Sequence, residues 1–246
     1  MKTTQNTILI TGGGSGIGFE IAKSFSKDNH IIITGRNAEK LQKAAAQLQN
    51  TTAIVSDITN EKDVENLVQK LKTDFPNLNI LINNAGIASV FNLATPGINA
   101  FEKASDEIST NYLAVVRLTE KLLPILKQND SAIVNVSSIV ALVPAASLPT
   151  YSASKAALHS YTQILRWSLK DTSVKVFELM PPLVNTEFSK EIGGENGVAP
   201  ELLASDLFKA LQENQYEIHT GQTAGMYALF LDSPENALVA MNTSEA

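Results

Sequence analysis

The sequence predicts an α/β protein in which one parallel sheet is covered by helices on both faces. Two observations carry this. Short β-branched runs alternate with segments of helical period along the chain, a pattern that calls for parallel strands joined by crossover helices. No linker, charge block or repeat interrupts the alternation, so residues 1–246 read as a single domain. Seven strands are expected, near 7–11, 30–34, 52–56, 79–83, 131–137, 173–179 and 216–219. Helices are expected at roughly 16–27, 38–49, 61–75, 106–128, 151–170 and 200–214. Two connections, 87–104 and 181–199, exceed what packing requires, and long loops at the carboxyl ends of strands border a ligand crevice.

Composition narrows the function classes. At 44% hydrophobic and 18% charged, the chain has the balance of an ordinary globular protein. A net charge of -6 without a basic stripe argues against nucleic acid as a partner. The absence of cysteine removes disulfides, thiolate metal sites and cysteine nucleophiles. The run Ile8-Leu9-Ile10 is too short for a signal-peptide core, and no stretch reaches the ~18 apolar residues of a membrane span, so cytoplasmic residence is expected.

Taken in order, the first strand runs into Thr11-Gly-Gly-Gly-Ser-Gly-Ile-Gly18, and the next helix starts inside that run. Unpaired amides at a helix N-terminus, approached through glycines, suit a diphosphate. The spacing is Gly12-x-x-x-Gly16-x-Gly18, not G-x-G-x-x-G. Strand two ends in Thr34-Gly35-Arg36: an acid here would accept from a ribose 2′-hydroxyl, whereas an Arg suits a 2′-phosphate, or is simply solvated at a strand end. Asp57 follows strand three, placed either to receive an adenine amino group or to cap the next helix. Asn83-Asn84-Ala85-Gly86 after strand four is a turn or a wall against an adenosine.

Asn111 is a polar amide inside an otherwise apolar helix and needs a partner. Strand five delivers Ser138 to the same sheet edge as the glycine turn. Tyr151 and Lys155, four apart, share one helical face, and a nearby ammonium favours the phenolate, as a general acid/base requires. His30, His159 and His219 do not match a serine-nucleophile arrangement and read as structural, and no metal-ligand spacing is present.

Together these residues, with Pro181, Val184 and Thr186, resemble the short-chain dehydrogenase/reductase family over nearly the whole chain. The resemblance implies a Rossmann-type doubly wound sheet of order 3-2-1-4-5-6-7 and a nicotinamide dinucleotide. It implies Tyr151 as proton donor, Ser138 fixing the substrate carbonyl, Lys155 holding the ribose while acidifying Tyr151, and Asn111 holding a relay water. Cofactor contacts are carried over to Thr11, Gly12, Ser15, Gly16, Ile17, Gly18, Arg36, Asp57, Asn84, Ala85, Gly86, Tyr151, Lys155, Pro181, Val184 and Thr186. The chain departs from the family at Pro182, where a glycine is usual. The segment 181–186, with Gly221-Gln-Thr and Asn242, resembles a bacterial subgroup linked with D-alanylation of cell-wall polymers.

The expected function is therefore reduction of a small carbonyl compound, or oxidation of the alcohol, with NADP(H) preferred and NAD(H) as the alternative cofactor. A non-catalytic NADP(H)-sensing protein of the same fold is the rival. Glycines in 181–199 are expected to hinge a lid. A homodimer or homotetramer is expected through the helices at 106–128 and 151–170, which carry Ala114, Ala153, Ala156, Ala157 and Ser160.

Overall fold

A computed structural model describes residues 1–243. Seven parallel strands form one sheet: β1 (Thr7–Thr11), β2 (His30–Gly35), β3 (Thr51–Val55), β4 (Leu78–Asn83), β5 (Ser131–Val136), β6 (Val174–Met180) and β7 (Glu217–His219). Their order is β3-β2-β1-β4-β5-β6-β7, as expected. Strand direction is uniform but the order reverses beside β1, so its two crossovers depart to opposite sides and leave a crevice beyond the carboxyl ends of β1 and β4.

The strands are Ile/Leu/Val runs because both faces are covered. Ile8, Ile10, Ile31, Ile33, Ile80 and Ile82 point to one side, against Ile21 and Phe25 of α1 (Gly16–Phe25), Leu41 of α2 (Ala38–Ala45) and Leu207 of α7 (Pro200–Glu213). The alternate residues Leu9, Ile32, Leu81, Ile133 and Val176 meet Leu67 of α3 (Glu61–Asp74), Leu122 of α5 (Ala114–Leu126) and Leu165 of α6 (Pro149–Ser168). This period of two fixes which strand ends face the crevice.

Helix starts follow local chemistry. Asn37 and Asn60 accept from the amides of Lys40 and Asp63, and Pro149 and Pro200 occupy the first helical positions of α6 and α7. Two parts of the helical layer differ from expectation. The helix placed at 106–128 begins earlier, as α4 (Ala100–Ile108), where Asn99 accepts from Glu102 N and its Nδ2 donates to the Glu102 carboxylate. A π-helical turn at Ser109–Leu113 then separates α4 from α5. Beyond β7 the chain adds α8 (Gln222–Asp232) and α9 (Pro234–Thr243), where no helix was expected.

Candidate active site

At the switch point the end of β1 is bound to the end of β4. The Thr11 hydroxyl accepts from the amides of Asn84 at 3.0 Å and Ala85 at 3.1 Å, and Asn84 Nδ2 donates to the carbonyls of Thr11 and Gly12. Gly12 and Gly16 hold φ of 67° and 56°, a region costly for a side chain, and a Cβ on Gly12 would sit 3.0 Å from Ala85 Cα. The turn therefore presents backbone rather than side chains at the start of α1, a surface suited to a diphosphate.

From this turn a cavity of about 700 Å³ runs along the carboxyl edge of the sheet. Gly12, Ser15, Gly16, Ile17, Arg36, Asp57, Asn84, Ala85, Gly86, Ser138, Tyr151, Lys155, Pro181, Val184 and Thr186 all line it. Thr11 and Gly18, expected as cofactor contacts, do not. Thr11 is buried tying the two strands together, and Gly18 lies under Asn84, where a Cβ would meet Asn84 Nδ2 at 2.5 Å. Both build the turn from behind.

Arg36 and Asp57 stand together at the β2–β3 end. Burial raises the Asp57 carboxyl, but bonds from the Thr59 hydroxyl and amide and the charge of Arg36 outweigh it, holding the group below its ordinary value. Asp57 does not cap α3, since Asn60 does. A Cβ at Gly35 would meet nothing nearer than Leu41 at 3.7 Å, so the floor beside Arg36 is open.

Three chemically active side chains converge at the other end. Tyr151 and Lys155 lie on the first turns of α6, and Ser138 follows β5 with its Oγ accepting from Val140 N at 3.3 Å. Burial pushes the Tyr151 phenol well above its ordinary range, a hydrogen bond with Ser138 pulls it down, and the charge of Glu107 adds to the rise. The phenol therefore lies above its ordinary range, contrary to the acidification expected from Lys155. Lys155 is itself buried, its pKa lowered to about 8 by that burial while Glu178 resists the fall. Its Nζ donates to Val136 O at 2.8 Å and lies 5.6 Å from the Tyr151 ring centroid.

Asn111 sits in the π-helical turn and does not line the cavity. Its Oδ1 accepts from Ile87 N, and its Nδ2 donates to Ile87 O and Ser154 Oγ, each at 2.9 Å. The side chain thus ties the Ile87 wall to α6. π-helical turns recur at functional sites, and here one aims an amide across two elements.

The segment 181–199 is folded over the cavity. Val184 and Val198 form a β-bridge, Thr186 packs on Gly16, and Glu187 reaches Lys40 at 2.9 Å. The Ser189 hydroxyl also donates to Val184 O. Two of the lid glycines serve close packing: a Cβ on Gly197 would sit 2.7 Å from Leu183 C and O, and one on Gly194 would strike Ser189, while Gly193 makes a left-handed turn with φ of 74°. Pro182 packs near Gly221.

Sequence reasoning missed the far wall, where Ile139, Val140 and Leu148 meet Ile192, Met226 and Met241. Asn242 anchors α9 there, accepting from Ala146 N and donating to Pro144 O. Glu107, also missed, is buried and accepts from Ser89 N. The histidines take structural positions: His30 bonds Thr52, His159 bonds Glu178, and His219 stacks on Tyr227. Among the described residues no cluster of three or more His, Cys, Asp or Glu could hold a metal ion, and no helix is long and apolar enough to cross a membrane.

Comparison with known proteins agrees with this architecture. The chain is 36% identical over 252 residues to an uncharacterized oxidoreductase, DltE, of Bacillus subtilis (strain 168), covering all of both chains. It is 35% identical to serine 3-dehydrogenase of Agrobacterium fabrum, over 81% of this chain and 80% of that one. A short-chain dehydrogenase from Burkholderia cenocepacia J2315, solved in complex with NADP, superposes over 100% of both chains with a TM-score of 0.86 at 26% identity. Another from Burkholderia phymatum, solved with NAD, superposes over 100% of this chain and 99% of that one, with a TM-score of 0.87 at 19% identity. A family model described as short chain dehydrogenase matches residues 6–197, and with it the chain belongs to the short-chain dehydrogenase family.

Proposed function

We propose that the protein is a cytoplasmic NADP(H)-dependent oxidoreductase that reduces a carbonyl compound and, in reverse, oxidises the matching alcohol, with Tyr151 as general acid and base. One observation carries this reading: the Tyr151 phenol and Ser138 line the same cavity as the glycine turn. That turn fits a dinucleotide, because Gly12 and Gly16 bring bare backbone to the cavity at the start of α1, Gly12 being packed directly on Asn84 and Ala85. Gly12, Ser15, Gly16 and Ile17 would hold the diphosphate, Asp57 the adenine, and Asn84, Ala85 and Gly86 the adenosine wall. Lys155 would hold the ribose of the nicotinamide, and Pro181, Val184 and Thr186 its ring.

When bound, the dinucleotide supplies the hydride for the carbonyl carbon, or takes it back from the alcohol. The chain does the rest. Tyr151, its phenol held high by burial, carries a proton at neutral pH and delivers it to the oxygen that Ser138 orients. Asn111 positions α6 through Ser154, and the packed lid excludes water. Relatives of this fold bind either NAD or NADP. The NADP(H) preference rests on Arg36, whose guanidinium can pair with a 2′-phosphate, and on the open floor at Gly35.

The reading extends to a homodimer or homotetramer. Ala153, Ala156 and Ser160 are exposed on α6, continuing to Ile164 at 63% and Trp167 at 68% exposure. Ala114, expected in that surface, is instead buried. Carbonyl and alcohol panels followed by nicotinamide absorbance, alongside NADPH and NADH titrations, test the function. Turnover with some member and tighter binding of NADPH are expected. Absence of turnover across the panels would defeat the enzyme reading, and equal affinities would defeat the assignment of Arg36.

A further inference from the structure

Resting on that reading, we infer that the substrate is an uncharged ketone, or the matching secondary alcohol, with hydrocarbon substituents and no carboxylate, phosphate or ammonium group. Beyond Tyr151 the cavity is walled from three directions by hydrocarbon. Ile139, Val140 and Leu148 stand on the catalytic side, Phe188 and Ile192 on the lid, and Met241 on the C-terminal helix. The Phe188 ring lies 6.0 Å from that of Tyr151, so hydrocarbon begins beside the proton donor.

Among the described residues the cavity's ionisable side chains, other than Tyr151, are Arg36, Asp57, Lys155 and Glu187. None serves this end. Arg36 and Asp57 follow β2 and β3, on the far side of β1 from Tyr151. Lys155 donates to Val136 O, and the Glu187 carboxylate joins Lys40. Backbone donors are committed as well. The amides of Ile139, Val140, Ala145 and Ala146 donate to Pro181 O, Ser138 Oγ, Ser152 Oγ and Asn242 Oδ1. An anion would lose its water and gain neither a cation nor an amide nest. An ammonium would be stranded against the same hydrocarbon with no carboxylate on the wall. A zwitterionic amino acid combines both penalties.

The test uses matched compounds on the full chain with NADPH: 2-octanone against 7-oxooctanoate, which replaces the terminal methyl by a carboxylate, and L-serine with NADP as the amino-acid alcohol. Binding to the NADP-loaded protein is followed in parallel by saturation-transfer NMR. The neutral ketone should exceed the keto acid by at least ~100-fold in kcat/KM, and it alone should show saturation transfer. Ile192→Lys and, separately, Met241→Lys should narrow that ratio by at least ~10-fold by giving the carboxylate a partner. Two positions on different elements guard against one variant misfolding. Equal or better use of 7-oxooctanoate or L-serine would overturn the inference, yet it would leave the oxidoreductase reading standing if Tyr151→Phe abolished that turnover. Binding of 2-octanone without turnover would uphold the pocket assignment and defeat the reaction. Failure of 2-octanone either to bind or to react would overturn the inference.

Discussion

Asn111→Ala gives a stability loss that can be worked from the structure. The wild-type amide is fully buried and makes three hydrogen bonds, to Ile87 N, Ile87 O and Ser154 Oγ. Each is worth about 1 kcal/mol net, so the expected loss is about 3 kcal/mol, larger if the Ile87 amide finds no water. At roughly 2–4 °C per kcal/mol for a chain of this size, the melting temperature should fall by about 6–12 °C. Ser154→Ala is the control. It deletes one bond to Asn111 and the donation to Tyr151 O, while leaving both Ile87 bonds intact, so the loss should be about 2 kcal/mol. Urea denaturation of the cofactor-free protein measures both. A loss below ~1 kcal/mol for Asn111→Ala would refute the view that this amide braces the π-helical turn against α6. If stability held while turnover collapsed, the side chain would belong to the proton path after all.

Other outcomes follow from the same geometry. Arg36→Ala should weaken NADPH binding by at least ~10-fold and leave NADH nearly unchanged, as calorimetric titration of both cofactors would show. Gly197→Ala puts a Cβ against Leu183 and should cost about 1–3 kcal/mol while raising KM, whereas a true hinge glycine would change kcat and KM with little loss of stability. The His159 imidazole is raised by its hydrogen bond with buried Glu178. Its stabilisation is thus fully present below the unfolded value near 6.5 and is lost as pH rises through the higher folded value. The stability difference between wild type and His159→Gln should shrink across that window in urea titrations, and a difference constant with pH would remove the pair from the account. Because burial holds the Tyr151 phenol protonated, alcohol oxidation should accelerate with rising pH while carbonyl reduction does not, and a pH-independent oxidation rate limited by chemistry would contradict this.

The sheet was legible because its signal is local and repeated. Runs such as Ile8-Leu-Ile10 and Ile31-Ile-Ile33 are buried on both faces, so apolar residues at every position marked strands within a residue or two. The start of α4 was also written locally, as Asn99 with Glu102 three positions on, although the helix that follows buries only Glu107 and leaves Phe101 exposed. α8 and α9 escaped for a related reason: apolar residues fall on all sides of these short helices, and only Ser233-Pro-Glu hinted at the second start.

For the site, motif spacing brought the right residues to one sheet edge but did not separate those that line the cavity from those behind it. Thr11, Gly18 and Asn111 belong to the latter, a distinction made by contacts across β1, β4 and α6. Electrostatics diverged for the same reason. The four-residue spacing of Tyr151 and Lys155 is visible in sequence, whereas the burial that raises one and lowers the other is tertiary. The wall at Met226 and Met241 comes from α8 and α9 folded back over a long sequence distance, with Asn242 as the anchor of α9.

The central claim is that Tyr151 transfers a proton and is little needed to hold the dinucleotide. Tyr151→Phe retains the ring against Phe188 and deletes only the hydroxyl. Single-turnover reduction of a verified substrate, measured beside NADPH affinity on the same preparation, tests it most directly. The account predicts a fall of at least ~100-fold in the chemical step with an NADPH dissociation constant changed less than about twofold. Full turnover by the variant would contradict it, and tight NADPH binding that altered a partner's affinity without any turnover would favour a sensing protein instead.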